Sequence, residues 1–278
     1  GSEVAPGQPI PADDILRFPR GPVAGDCLHA VFEAIDFCDP SGWEAAIAAA
    51  LQAHPQRPPA SLGERERALE TVRQPQRLRR MLDDVLATPL LGATAGAGAA
   101  LRLDGVTAAR RRVELGFHLP APVLGAAQLN AWLAARGYHV PRLDFKDLAG
   151  YLKGYIDLVF EHDGRYWVLD WKSNHLGDTP QDYAPARLEA AMQAHGYHLQ
   201  HLLYTLALHR HLQRSLPGYD YAHHFGGVLY LFVRGVRPHW QLDGQPCGVF
   251  HHRAAEADIL ALDRLVAAAP TPSEVIEA

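Results

Sequence analysis

Two aspartates and a lysine, Asp157, Asp170 and Lys172, stand in the one stretch of this 278-residue chain whose pairing can be read from local signals alone. It runs Gly154-Tyr-Ile-Asp-Leu-Val-Phe-Glu-His-Asp-Gly-Arg-Tyr-Trp-Val-Leu-Asp-Trp-Lys172. Two alternating runs flank Asp163-Gly164, and a two-residue turn built from residues that tolerate positive φ predicts a β-hairpin. With 163 and 164 at the turn, cross-strand partners have numbers that sum to 327. Ile156, Leu158 and Phe160 then oppose Trp171, Leu169 and Trp167 on an apolar face. By period two, the other face sets Asp157 opposite Asp170, Tyr155 opposite Lys172 and Val159 opposite Val168.

Opposed side chains have Cβ atoms ~5 Å apart, where like charges repel. At an effective dielectric of ~20 the repulsion is about 3 kcal/mol. One carboxylate could keep a proton, Lys172 could compensate, or a divalent cation could sit between the oxygens. A hard cation answers best. Lys172 lies two residues past Asp170, on the same face, where its ammonium can hold a water activated by the metal or its neutral amine deprotonate that water. That set of groups suits phosphodiester cleavage. A lone Asp-x-Lys is a common tripeptide on solvated sheet faces; the aspartate in matching register on the neighbouring strand is what sets this one apart.

The elements that must position these groups follow from periodicity. Residues 1–24 are proline-rich and aperiodic and read as a linker or arm, with Gly1-Ser2 a cleavage scar and order beginning near Gly25. Residues 25–278 read as one domain, with a helical portion over 25–91 and a mixed-sheet core over 106–278. In the helical portion, 61–86 carries a break near Pro75. In the core, 110–119, 151–161, 165–172 and 225–233 read as strands, 128–136 as a short helix and 186–216 as one long helix. The fold class is α/β.

Composition excludes several classes. With 26 Lys+Arg against 31 Asp+Glu the net charge is −5, so nucleic acid must be held by a local site rather than by bulk charge. Three cysteines, Cys27, Cys38 and Cys247, form no CxxC pair and cannot supply a four-cysteine cluster; they suggest a reducing, cytoplasmic setting. No run approaches the ~18 apolar residues of a membrane span. There is no GxxxxGK[ST] loop and no GxSxG elbow, which argues against ATP hydrolysis and acyl transfer. The histidine-rich segment from His195 to His211 lacks HExxH and reads as exposed helix surface rather than a zinc site.

The hairpin and several further segments together resemble the RecB-type nuclease domains of the PD-(D/E)xK nucleases. The shared segments are Phe18-Pro-Arg-Gly, Leu152 to Phe160, Asp170-Trp-Lys-Ser-Asn, Leu199 to Arg210 and Tyr219 to Gly235, and the resemblance covers most of residues 18 to 265. It implies a restriction-endonuclease-like mixed sheet flanked by helices and a Mg²⁺-dependent DNA nuclease. Asp157 and Asp170 resemble the two metal-ligand aspartates, Lys172 the motif lysine, and the Trp171 carbonyl a backbone ligand where tyrosine is common. Gly25-x3-His29-x3-Glu33 resembles the GxxxHxxxE helix whose histidine completes the metal shell. Glu114 matches an acidic residue of the preceding strand, with Gly116 where a second glutamate is frequent. Gln200 and Tyr204 match the QxxxY motif, implying DNA contact. The implied partners are DNA, other subunits of a RecBCD-type complex and a RecA-type recombinase. Two alternatives stay open: a catalytically silent module that docks a recombinase or partner subunits, and a free-standing repair nuclease of the same superfamily.

Overall fold

The computed structural model describes residues 9–58, 60–92, 100–145 and 148–267. In chain order the helices are α1 (Pro22–Ala34), α2 (Trp43–Ala53), α3 (Glu64–Ala87), α4 (Ala126–Ala135), α5 (Pro185–Ala194), α6 (Tyr197–Ser215), α7 (Tyr221–His224) and α8 (Glu256–Ala267). The strands are β1 (Arg111–Leu124), β2 (Leu148–His162), β3 (Arg165–Lys172), β4 (Phe225–Phe232), β5 (Gln241–Leu242), β6 (Gln245–Pro246) and β7 (Val249–His252). Five of them form a mixed sheet in the order β1-β2-β3-β4-β7, and β5 pairs with β6 separately.

The hairpin is the expected one. Antiparallel pairs run from His162–Arg165 to Leu158–Leu169, every pair summing to 327. Asp163 and Gly164 carry φ of 50° and 75°, and the Gly164 N–H donates to the Glu161 carboxylate at 2.8 Å. This is the primed turn whose twist matches the strands it joins. Asp157 and Asp170 are the next residues along the two strands beyond Leu158 and Leu169.

By packing, the chain divides into two compact units. The first comprises Gly1–Arg112, Asp170–Leu188 and Tyr230–His251. Its helices α1, α2 and α3 pack in succession through Leu28, Val31, Ile47, Leu78, Leu82 and Val85. Here order begins before Gly25: Ile15, Leu16 and Phe18 are buried and α1 starts at Pro22. The reason lies far along the chain. The fully buried Arg234 guanidinium donates to the carbonyls of Ile15, Phe18 and Pro19, and Arg237 forms a buried ion pair with Asp14 at 2.7 Å. Burial alone would raise the Asp14 pKa, but the hydrogen bond and charge of Arg237 outweigh it and hold the carboxyl below its usual range. Pro75 does not break α3. It lies inside one continuous helix, and a lost backbone bond costing up to ~3 kcal/mol is offset by the buried stripe that follows it.

The second unit comprises Val113–Leu169, Glu189–Leu229 and His252–Ala278. The long helix read over 186–216 is two helices, α5 and α6, separated at Gly196, whose φ of 70° no right-handed helix accommodates. The histidines of α6 are also not surface. His198, His201 and His209 are buried, because α6 turns most of its circumference into the core of this unit.

Candidate functional site

In the first unit the end of β3 presents Asp170 and Lys172 to one side and Trp171 to the other, as strand alternation requires. The Trp171 ring stacks on Phe32 of α1 at 3.9 Å between centroids and meets Phe37 edge-on. That locks the peptide whose carbonyl the family resemblance implies as a backbone ligand. Asp170 is only 2% exposed, and its Oδ2 lies 2.5 Å from Lys172 Nζ, which also stands 5.1 Å from the centroid of the Tyr230 ring. A carboxylate this buried must be offset by positive charge, and here the ammonium supplies it.

The backbone just past the pair is held from below. The Val233 N–H donates to the Lys172 carbonyl at 3.0 Å, and Arg234 Nε donates to the Ser173 carbonyl at 2.9 Å. Desolvation pulls the Arg234 pKa down to about 10, which still leaves it protonated near neutrality. A cavity of about 530 Å³ opens beside this segment, lined by Gly25, Asp26, His29, Glu33, His54 and Ser173 among others. A Cβ on Gly25 would stand 3.0 Å from Ser173 Oγ, so glycine is what permits α1 to come this close. His29 and Glu33, spaced four apart, face the same cavity as expected for one helical face. Asp26 and His54 were not singled out by the sequence. Asp26 sits one turn before His29 and could have been read from spacing, whereas His54, at the end of α2, carried no local signal.

The second unit holds the remaining residues. Asp157 is half-buried on β2. Glu114 is exposed on β1 with φ of 48°, a left-handed backbone for a residue with a Cβ. Such a conformation costs about 1–3 kcal/mol and marks a local kink in the strand. Gln200 Nε2 donates to the Tyr204 hydroxyl at 2.7 Å across one turn of α6, and the buried Tyr204 ring meets Phe117 of β1 edge-on at 5.8 Å. The two residues of the QxxxY motif therefore act as a pair, with the tyrosine ring anchored and the amide ordering its hydroxyl.

The buried histidines of α6 have their own partners. His198 Nε2 lies 2.9 Å from Glu189, His201 packs against His198, His252 and Tyr138, and His209 Nδ1 lies 3.1 Å from the Tyr219 hydroxyl. Burial, reinforced by the nearby His252 and His198, depresses the His201 pKa well below the imidazole norm, so it is neutral.

Among the described residues, no three His, Cys, Asp or Glu side chains are arranged to hold a metal ion as the side chains stand. The two carboxylates read from the hairpin register, and the imidazole and backbone carbonyl that the family resemblance implies, are nonetheless donor types that suit a divalent cation. The position beside Asp170 already accepts positive charge from Lys172. Among the described residues no helix is long and apolar enough to cross a membrane, and none of the three cysteines forms a disulfide.

A family model described as the PD-(D/E)XK nuclease superfamily matches residues 12–269. The chain is 41% identical over 224 residues to the RecBCD enzyme subunit RecB of Escherichia coli (strain K12), covering 79% of this chain and 17% of that protein. It is 34% identical over 283 residues to the RecBCD enzyme subunit RecB of Mycobacterium tuberculosis (strain CDC 1551 / Oshkosh), covering 91% of this chain and 24% of the relative. A third relative, RecB of Haemophilus influenzae, is 46% identical over 129 residues, 45% of this chain. The chain thus spans a quarter or less of the length of these curated relatives.

Proposed function

Because the chain belongs to the PD-(D/E)XK nuclease superfamily, we propose that it is the nuclease domain of a RecBCD-type helicase-nuclease, hydrolysing DNA phosphodiester bonds in break repair and in the degradation of linear DNA. The observation that carries the reading is the buried Asp170–Lys172 pair, at the end of a hairpin whose register makes Asp157 the next residue on the partner strand. The other subunits of such a complex, and a RecA-type recombinase, are the protein partners this reading implies. The setting is the cytoplasm, where DNA and unpaired cysteines both belong.

The residues divide the work by chemistry. Asp157, Asp170, the Trp171 carbonyl and His29 would hold Mg²⁺, which when bound polarises the phosphodiester and stabilises its developing charge. Lys172 moves its ammonium from carboxylate to water, orienting the nucleophile for in-line attack on phosphorus with the sugar oxygen as leaving group. Trp171, wedged between Phe32 and Phe37, keeps the strand end from shifting as that charge develops. Glu114 adds a further acidic side chain from the preceding strand, and Gln200 and Tyr204 contact the DNA strand. The catalytic domain we propose takes in 25–278 together with the buried segment 14–18 and the start of α1 before it.

The test is cleavage of linear duplex and single-stranded DNA. With Mg²⁺ the chain yields short products, EDTA abolishes them, and Asp170→Asn lowers the rate by at least about 10³-fold. Wild-type protein that binds DNA but releases no products over a wide range of enzyme concentration would turn the reading toward a silent docking module.

A further inference from the structure

Two partners of Lys172 in the first unit differ in kind. One is the Asp170 carboxylate, 2.5 Å from Nζ, and the other is the face of the Tyr230 ring, whose centroid lies 5.1 Å from the same nitrogen. Tyr230 stands on β4, the strand next to β3, and is fully buried. Lys172 is itself only 9% exposed, so its ammonium has lost most of its water. An aliphatic side chain in the place of Tyr230 would exclude that water and return nothing, whereas the negative face of an aromatic ring attracts the cation. The attraction is strongest where the cation is desolvated, as it is here.

The strand that carries the ring is tied on both sides. The Val233 N–H donates to the Lys172 carbonyl at 3.0 Å, and the Phe232 N–H donates to the Gly248 carbonyl at 2.8 Å. Phe250 of β7 meets the Tyr230 ring edge-on, with 6.4 Å between centroids and 82° between planes. These ties place the ring beside the end of β3 without help from the lysine side chain. The two partners then hold the ammonium in different ways. A hydrogen bond to a carboxylate weakens steeply as its angle departs from linearity, whereas attraction to a ring face needs no particular N–H to point at it. The carboxylate fixes a point and the ring offers a surface. A lysine that passes its ammonium from Asp170 to a water needs the second kind of partner, because the first is given up in the move.

We propose that Tyr230 is a positioning residue for Lys172: its ring face holds the ammonium at the end of β3 both while it is bonded to Asp170 and while it turns to the attacking water. Buried as it is, Tyr230 acts only through the lysine. The inference rests on the nuclease reading for the task of Lys172, but the contact itself is measured without cleavage. What counts at position 230 is the electron density of the ring face as well as its bulk.

Two measurements on the whole chain test this. The first is NMR of isotope-labelled lysine side chains in the metal-free protein, where Lys172 is one of only three lysines. The ring current of Tyr230 moves the Lys172 signals nearest Nζ upfield; Tyr230→Phe keeps that shift and Tyr230→Leu removes it. The second is Mg²⁺-dependent cleavage of linear DNA by a series that carries phenylalanine and then mono-, di- and trifluorinated phenylalanine at position 230. Fluorine drains the ring face in steps at nearly constant size, so kcat falls in steps, by about 30-fold from first to last, while KM for DNA stays put. A ring that only fills space gives the same kcat throughout, and the series remains readable even if Tyr230→Leu fails to fold. Equal rates across the series, or a Lys172 shift that survives Tyr230→Leu, overturn the proposal. The shift present in the wild type and lost in Tyr230→Leu, but with no cleavage by the wild type, overturns the nuclease reading and leaves the ring contact standing. Cleavage at equal rates across the series does the reverse.

Discussion

Helices α1 and α6 both carry histidines at helical spacing, and the two units use them in opposite ways. On α1, His29 lines the cavity of about 530 Å³ beside Ser173, with Asp26 and Glu33 near it on the same helix. On α6, His198, His201 and His209 are packed into the core, each against ring or carboxylate neighbours. The difference lies in what lies across from each helix. Gly25 lets the strand end approach α1 closely while an opening remains around the imidazole, whereas α6 is covered along most of its length. A histidine is available for ligation where its surroundings leave room for an ion. Where they do not, the ring becomes a neutral piece of core.

The sharpest way to break this contrast is to remove one histidine from each helix. His29→Ala should lower Mg²⁺-dependent cleavage by about 100-fold, as loss of metal-site support does, while its free energy of unfolding in urea titration stays within ~0.5 kcal/mol of wild type. His201→Ala should do the reverse, costing about 2–4 kcal/mol in urea unfolding through the cavity it leaves, with kcat in the folded protein little changed. If His201→Ala proved as stable as wild type, α6 would not be the buried helix described.

A pH series sharpens the same point with a smaller effect. The folded His201 pKa is depressed and the unfolded value is near 6.5, so below that pH the unfolded chain binds a proton that the folded chain refuses. Stability is therefore full above about 6.5 and falls as pH drops toward the folded value, with a slope approaching ~1.4 kcal/mol per unit. His209, whose pKa burial also lowers, adds in the same direction. Urea melts at stepped pH check this, and His201→Leu should flatten the profile. The smallest expected effect concerns the joint that starts α6. Gly196→Ala places a Cβ at φ of 70° and should cost about 1 kcal/mol, measurable as a lowered melting temperature, without altering DNA affinity.

The parts of the fold and site legible in sequence are those set by neighbours in the chain. Asp163-Gly164 dictated its own turn, the turn dictated the register, and the register put Leu158 opposite Leu169. The spacing of Gly25, His29 and Glu33 likewise placed all three on one helical face toward one cavity. The misreadings share a cause. The proline-rich stretch before Gly25 looked unstructured because the group that orders it, Arg234, lies more than 200 residues away. The α5–α6 joint escaped notice because one glycine in a helical pattern is ambiguous until its φ is known. The small strands β5 and β6 flank Asp243-Gly244, a turn signal of the same type as the one at 163 and 164, and were there to be read.

Sequence by itself determined the chemistry available and its local order: two aspartates and a lysine tied by a turn, a histidine one helical face from a glycine, and too little net positive charge to hold DNA indiscriminately. Tertiary structure alone decided which charges are buried and what offsets them, as with Lys172 on Asp170, Arg237 on Asp14, and the α6 imidazoles kept neutral. The reason is physical. Turn and helix geometry depend on backbone torsions within a few residues, whereas desolvation depends on every atom that excludes water, wherever in the chain it comes from.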